Sequence, residues 1–165
     1  MVRTCIGKAL PHATIIGIDV HPQAIVLGNK NKEANNIENV TFIQSDLYQA
    51  LSTYQGAYDL IISNPPYIAE SEYTQLSDQV RNWEDKNALV ADEKGFSIHK
   101  RIINGAAEYL KKDSVLIKHG IAQILLECGK GQADELQHLF EQAKFGTVTK
   151  HKDLEGVDRW ITAKF

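Results

Sequence analysis

Residues 58–67 read Tyr58-Asp59-Leu60-Ile61-Ile62-Ser63-Asn64-Pro65-Pro66-Tyr67, an apolar run that stops on Asn-Pro-Pro-aromatic. Leu60, Ile61 and Ile62 follow one another without alternation, the pattern of a parallel strand covered on both faces. Two prolines then end the ladder, because neither has an N–H to donate and each restricts the residue before it. Asn64 is therefore expected at the carboxyl end of a central strand, where open α/β sheets build their sites.

Such a corner suits transfer of a group to a planar nitrogen. An amide or ring amino group is a poor nucleophile because its lone pair is delocalised. The side-chain carbonyl of Asn64 and the backbone carbonyl of Pro65 can accept its two N–H protons and aim the nitrogen at an electrophile. The Tyr67 ring can stack on the flat group. Asn-Pro is also ordinary turn chemistry, so the bland alternative is a simple strand-ending turn.

Composition narrows the class. With 165 residues the chain suits one domain with a real core. A formal net charge of -3 gives no basic field for gripping a phosphate backbone. Cys5 and Cys128 are far apart and form no CxxC, so neither a disulfide framework nor a zinc site is expected. The six histidines are scattered without ligand spacing. No apolar run approaches a membrane span and the first residues do not read as a signal peptide. A reducing, cytoplasmic setting is the expectation.

Strands and helices alternate along the chain with short connections. Residues 3–10 read as the tail of a helix, residues 14–18 as a strand closed by Asp19. A helix opens at Pro22 with Ala24, Ile25 and Leu27 on its apolar side. Val40 to Gln44 is the next strand, closed by Ser45-Asp46, and the strand before Asn64 follows. A polar stretch from Glu70 to Lys94 precedes a helix over 96–111. Residues 121–128 read as a strand and 133–143 as a helix. Residues 147–149 and 160–163 suggest a closing antiparallel pair. Val115-Leu116-Ile117 fits an extra strand or a helix extension equally. The sum is an α/β chain with a mostly parallel, doubly wound sheet.

Two acids stand where a nucleotide-like cofactor wants them. Asp19 ends its strand, and an acid there can accept both hydroxyls of a ribose. Asp46 ends the following strand, where its carboxylate can receive an adenine amino group while Leu47 covers the ring. Strand-terminal aspartates also cap helices, and Asp19 can serve the helix at Pro22 in that way.

Taken together, these segments resemble the catalytic domain of the HemK/PrmC family, the S-adenosylmethionine-dependent methyltransferases that modify a glutamine side-chain nitrogen in peptide chain release factors. The resemblance runs over nearly the whole length. It is carried by Ile16-Gly17-Ile18-Asp19, Gln44-Ser45-Asp46-Leu47 and Ser63-Asn64-Pro65-Pro66-Tyr67-Ile68. It continues through the stretch from Trp83 to Val90 followed by Gly95, then Leu125 to Gln132, and Asp153-Leu154-Glu155-Gly156-Val157-Asp158-Arg159. Asn-Pro-Pro-Tyr is shared with nucleic-acid amino methyltransferases, whereas the Glu84–Leu89 stretch and the terminal Asp-Leu-x-Gly-x-Asp-Arg pattern are narrower.

The resemblance implies a Rossmann-like class I methyltransferase fold with a C-terminal antiparallel hairpin, and a single catalytic domain over residues 1–165, truncated at its amino end. It implies that Asp19 holds the cofactor ribose and that Asp46 and Leu47 flank its adenine. Asn64 would touch both cofactor and substrate, and Asn64, Pro65, Pro66 and Tyr67 would clamp the target amide, with Asn64, Pro65 and Tyr67 as the catalytic set. No metal is implied. The implied partner is a release factor, in translation termination, with no membrane role.

This sequence departs from the family in lacking its Asp-x-Gly-x-Gly-x-Gly loop and first strand, and the helical region before them. Gly129-Lys130-Gly131 follows a later strand and is no substitute. In the family sheet the first strand lies between those ending at Asp19 and Asn64, so here the two are expected to pair directly, leave a gap or recruit another chain. Cofactor binding by this chain is accordingly expected to be weak. Asp85 stands where the family usually has proline. Two other classes fit: a DNA or RNA amino methyltransferase, which would normally show a basic face, and a non-catalytic remnant. Trp83 and Trp160 are expected as packing anchors, His21 and His99 at the surface or as caps, and Asp158-Arg159 as a structural ion pair.

Overall fold

The computed structural model describes residues 2–165, with side chains from Thr4 onward. The chain divides into two compact units, one ending at Thr53 and one running from Tyr54 to Phe165.

The first unit is α1 (Val2–Ala9), β1 (Ile15–Asp19), α2 (Pro22–Ala34) and β2 (Val40–Gln44). β1 and β2 are parallel, with Ile15 opposite Val40 and Asp19 opposite Gln44. Their crossover helix starts with Pro22 in its first turn, where the missing N–H costs nothing. Asn39 closes α1: its Nδ2 lies 2.9 Å from the carbonyls of Leu10 and Ala13 and 3.2 Å from that of Gly7. Ile37 and Val40 are buried beside it. On α2, Ala24 and Ile25 are half-buried as expected, but Leu27 is exposed. The inward face centres on Ala24, Ile25 and Gly28, and Leu27 lies a helical step of about 100° to one side.

The second unit runs β3 (Ile61–Ser63), α3 (Glu70–Tyr73), α4 (Asp78–Trp83), α5 (Lys86–Leu89), α6 (Asp92–Gly95), α7 (Ser97–Tyr109) and α8 (Val115–Lys118). β4 (Ile124–Glu127), α9 (Ala133–Gln142), β5 (Thr147–Lys152) and β6 (Asp158–Lys164) complete it. Its sheet has the order β3-β4-β6-β5, with β3 and β4 parallel and the β4–β6 and β5–β6 pairs antiparallel. α9 packs on β5 and β6 and against α7. Ile124, Leu126, Ile161 and Ala163 from the strands are buried, as are Ile102, Ile103, Ala106, Leu136 and Phe140 from these helices. Each large side chain of this set contributes about 1.5–3 kcal/mol.

Several expectations change here. Among the described residues, β1 hydrogen-bonds to β2 in the first unit and β3 to β4 in the second. β3 is thus an edge strand of its sheet, not a central one, and it is not covered on both faces: Leu60 is 41% exposed and Ile62 44%. β4 begins at Ile124, with Ile121 exposed. Val115–Lys118 is a short separate helix. Ser114 fixes it, because its Oγ accepts the N–H of Leu116 at 3.2 Å and donates to Asp59 Oδ1 at 2.8 Å. Lys111 Nζ meets Asp59 Oδ2 at 2.7 Å. That bond leads in holding the Asp59 carboxyl below its ordinary range, so the aspartate of the opening stretch fastens the approach to β3.

His99 is neither surface nor cap. It is fully buried in α7, with Nε2 2.8 Å from the Glu127 carbonyl and Nδ1 3.4 Å from that of Gly95. Burial holds its pKa below the ordinary 6.5, outweighing the two carbonyls. As pH falls, the unfolded chain therefore takes up this proton first. The stabilisation is complete above about pH 6.5 and erodes as pH drops from there through the lowered folded value. Urea midpoints measured from pH 7.5 to 5 are expected to decline, and His99→Gln to flatten that decline; equal slopes would remove His99 from the account.

Candidate active site

In the second unit, Asn64 follows β3 directly. It is exposed, and its carboxamide makes no hydrogen bond with the described residues. Pro65 is buried, and Pro66 and Tyr67 are half-buried. Just beyond, the Ile68 N–H donates to the Leu89 carbonyl at 2.9 Å, and the Ala91 N–H to the Ile68 carbonyl at 3.0 Å. The corner therefore presents a free amide side chain on a backbone tied at its exit.

Beside Tyr67 opens a cleft of about 450 Å³ lined by Leu125, Glu127, Asp153, Arg159 and Trp160. Alternation along β4 turns Leu125 and Glu127 away from the buried Ile124 and Leu126. Trp160 stands opposite Glu127 in register. Burial, then the Glu127 carboxylate, push the Tyr67 hydroxyl above the ordinary phenol range, with Arg159 pulling the other way. The hydroxyl stays protonated at neutral pH and can donate.

Arg159 does not pair with its neighbour Asp158. Its Nε donates to Asp153 Oδ2 at 3.0 Å, while Asp158 meets Lys152 Nζ at 3.2 Å. Consecutive strand residues point to opposite faces, which separates Asp158 from Arg159. Asp153 Oδ1 also accepts the N–H groups of Glu155 at 2.9 Å and Val157 at 3.0 Å. These bonds, Val157 first, hold its carboxyl below the usual range. The Asp-Leu-x-Gly-x-Asp-Arg segment is thus a closed turn that brings a guanidinium to the cleft wall. Glu127 and Arg159 were quoted in the sequence patterns without a site role; their seats on adjacent strands are what the patterns hide. Trp160 is half-buried, stacked on His151 with ring centroids 5.9 Å apart. Trp83 is 87% exposed and is no packing anchor, since α4 buries no residue.

Cys128 follows Glu127 and is fully buried. Burial, followed by the Asp158 charge, pushes its thiol up to about 11, so little thiolate exists at neutral pH. A thiol reagent at pH 7.5 is expected to label exposed Cys5 promptly and Cys128 only on unfolding. Rapid double labelling of the native chain, read by mass spectrometry, would contradict the burial.

In the first unit, Asp19 ends β1 and Asp46 follows shortly after the end of the adjacent parallel β2, both half-buried. The Ser45 N–H donates to the Asp19 carbonyl at 2.9 Å, which ties the two ends together. Asp19 Oδ1 accepts the His21 N–H at 3.1 Å, a bond to the residue just before α2. Asp46 Oδ2 receives Gln49 Nε2 at 3.4 Å. Leu47 is held at φ 50°, an uncommon backbone for a large side chain. Ser45 supports it, donating its hydroxyl to the Leu47 carbonyl at 2.8 Å and accepting the Ala50 N–H at 3.0 Å. Strained backbone of this kind persists where the surroundings over-determine it, often at ligand sites.

A family model described as "Methyltransferase domain" matches residues 3–152. The release factor glutamine methyltransferase of Fusobacterium nucleatum is 37% identical over 163 residues, 99% of this chain and 44% of that protein. The protein of the same name from Thermodesulfovibrio yellowstonii is 32% identical over 96% of this chain and 53% of its own. The chain thus spans about half the length of the curated relatives it matches. Among solved structures, the hMettl16 catalytic domain in complex with MAT2A 3'UTR hairpin 6 superposes with a TM-score of 0.64 at 17% identity. That match covers 99% of this chain and 59% of that one, and it is a likeness of fold.

Proposed function

This chain belongs to the methyltransferase-domain family, and on that premise we propose that it transfers a methyl group from S-adenosylmethionine to the side-chain amide nitrogen of a glutamine in a peptide chain release factor. The observation that carries the reading is the exposed, unbonded Asn64 carboxamide on a corner whose Tyr67 ring walls an open cleft. An asparagine whose role is to end a strand would spend its amide on nearby backbone.

The cofactor supplies an electrophilic methyl group on a sulfonium, so the protein need only bind, align and polarise. Acceptors of the right kind stand on the first unit: the Asp19 carboxylate for ribose hydroxyls, the Asp46 carboxylate for an adenine amino group, and Leu47 for the ring face. On the second unit the Asn64 and Pro65 carbonyls accept the two N–H protons of the target amide, and Pro66 keeps the backbone rigid. Drawing on both protons raises electron density on the nitrogen and turns its lone pair towards the methyl group; the nitrogen gives up one of them to solvent on taking the methyl group, so the product amide is neutral. Tyr67 stacks on the flat amide. A release factor as substrate sets the work in the cytoplasm. Among the described residues, no helix is long and apolar enough to cross a membrane.

Incubation of the purified chain with methyl-labelled S-adenosylmethionine and either a release factor or an oligonucleotide tests this. Label on a glutamine of the release factor is expected. Label on the oligonucleotide alone would move the assignment to nucleic-acid amino methylation. No label, together with no heat on calorimetric titration of the cofactor, would leave a non-catalytic domain.

A further inference from the structure

We infer that Gln132 is a positioning residue for the Asn64–Tyr67 corner, latching its backbone to the turn that follows β4; its catalytic consequence rests on the methyl-transfer reading above. The side-chain Nε2 of Gln132 donates to the Tyr67 carbonyl at 2.8 Å, and its Oε1 accepts the Gly129 N–H at 2.8 Å. One carboxamide thus bridges segments 65 positions apart, and it does so while only 9% exposed.

The arm that reaches across is itself fixed. The Gln132 N–H donates to the Gly129 carbonyl at 3.1 Å, and its carbonyl accepts the Leu136 N–H at 3.1 Å, so its main chain starts α9. The corner, in contrast, is short of tethers. Pro65 and Pro66 have no N–H, and β3 stops at Ser63. Gln132 holds the corner by its backbone, at the Tyr67 carbonyl, whereas Glu127 acts on the Tyr67 hydroxyl. Gly95 backs the same carbonyl from another side, since a Cβ there would stand 2.1 Å from the Tyr67 oxygen and 2.8 Å from Gln132 Nε2. A buried carboxamide satisfied at both ends is rigid and specific. Its donor end sets where the Tyr67 ring and, through two prolines, the Asn64 amide sit. Displacements of about 1 Å can cost a hundredfold in rate.

Two variants dissect the latch. Gln132→Glu keeps an acceptor for the Gly129 N–H but turns an oxygen towards the Tyr67 carbonyl; Gln132→Met removes both bonds while filling the space. Amide hydrogen exchange, thermal melting and methyl-transfer kinetics are measured on each. Exchange at Ile68 and Ala91, whose N–H groups are bonded at the corner's exit, is expected to quicken by on the order of tenfold, with β4 and α7 amides unchanged. Turnover is expected to fall by a similar factor, with the S-adenosylmethionine dissociation constant unmoved. Wild-type exchange at Ile68 and Ala91 in Gln132→Glu would overturn the latch. So would quickened exchange spread evenly over residues 54–165, which would make Gln132 merely structural. Should the wild type transfer no methyl group, the exchange data still decide the latch, and it is the methyl-transfer reading that falls. If Gln132→Met does not fold, the Glu variant alone decides.

Discussion

Asn64→Ala is expected to lower methyl transfer to a release factor by about a hundredfold or more, with a much smaller effect on cofactor binding. The side chain is exposed and bonds to none of the described residues, so its removal takes nothing from the core. Melting temperature should stay close to that of the wild type. What is lost is an acceptor that matters only when a planar nitrogen is being turned towards the methyl group. An interaction of that kind is read in kcat more than in KM. Single-turnover transfer of a labelled methyl group, set beside calorimetric titration of S-adenosylmethionine, separates the two effects. A variant that methylates at the wild-type rate would end the assignment of Asn64, and with it the clamp.

The turn into that corner is legible in sequence because two prolines leave the backbone few options, and the succession of elements along the chain follows from alternation of apolar runs with helical ones. Exposure is another matter. Leu60-Ile61-Ile62 reports that a strand can be buried on both faces, not that neighbours exist to bury it, and β3 has one strand partner. Asp158-Arg159 looks like a pair because the residues are adjacent, yet strand pleating separates them and a turn delivers Asp153 instead. Ser114 ahead of Val115-Leu116-Ile117 is a helix-start signal, and its side chain does cap that helix. His99 and Gln132 were not readable. Their partners lie 28 and 65 positions away, and neither residue type announces a long-range bond to a carbonyl. Asp19 keeps two readings open: its Oδ1 holds the N–H of His21 just before α2, and the end of β1 is the place a ribose acceptor would use.

Gly95→Ala is expected to cost at least about 3 kcal/mol of stability, against about 1–2 kcal/mol for Gly131→Ala. The two glycines have nearly the same backbone, φ 87° and φ 83°, so the strain of putting an L-residue in the left-handed region is common to both. They differ in what surrounds them. A Cβ at Gly131 meets nothing within 4 Å, whereas one at Gly95 stands 2.1 Å from the Tyr67 oxygen and 2.8 Å from its carbonyl carbon. Those are backbone atoms, fixed by Gln132 and by the bonds at Ile68, so they cannot swing aside as a flexible side chain would. Glu93 and Lys94 already sit at φ 55° and φ 59°, which leaves the preceding turn little slack to absorb the shift. Relief must come from moving the Asn64–Tyr67 corner itself, so the same variant should lose turnover even where enough folded protein remains to assay. Urea denaturation of both variants measures the difference. Equal midpoints would mean that the corner yields freely, and a corner that yields freely could not hold an amide in line for transfer.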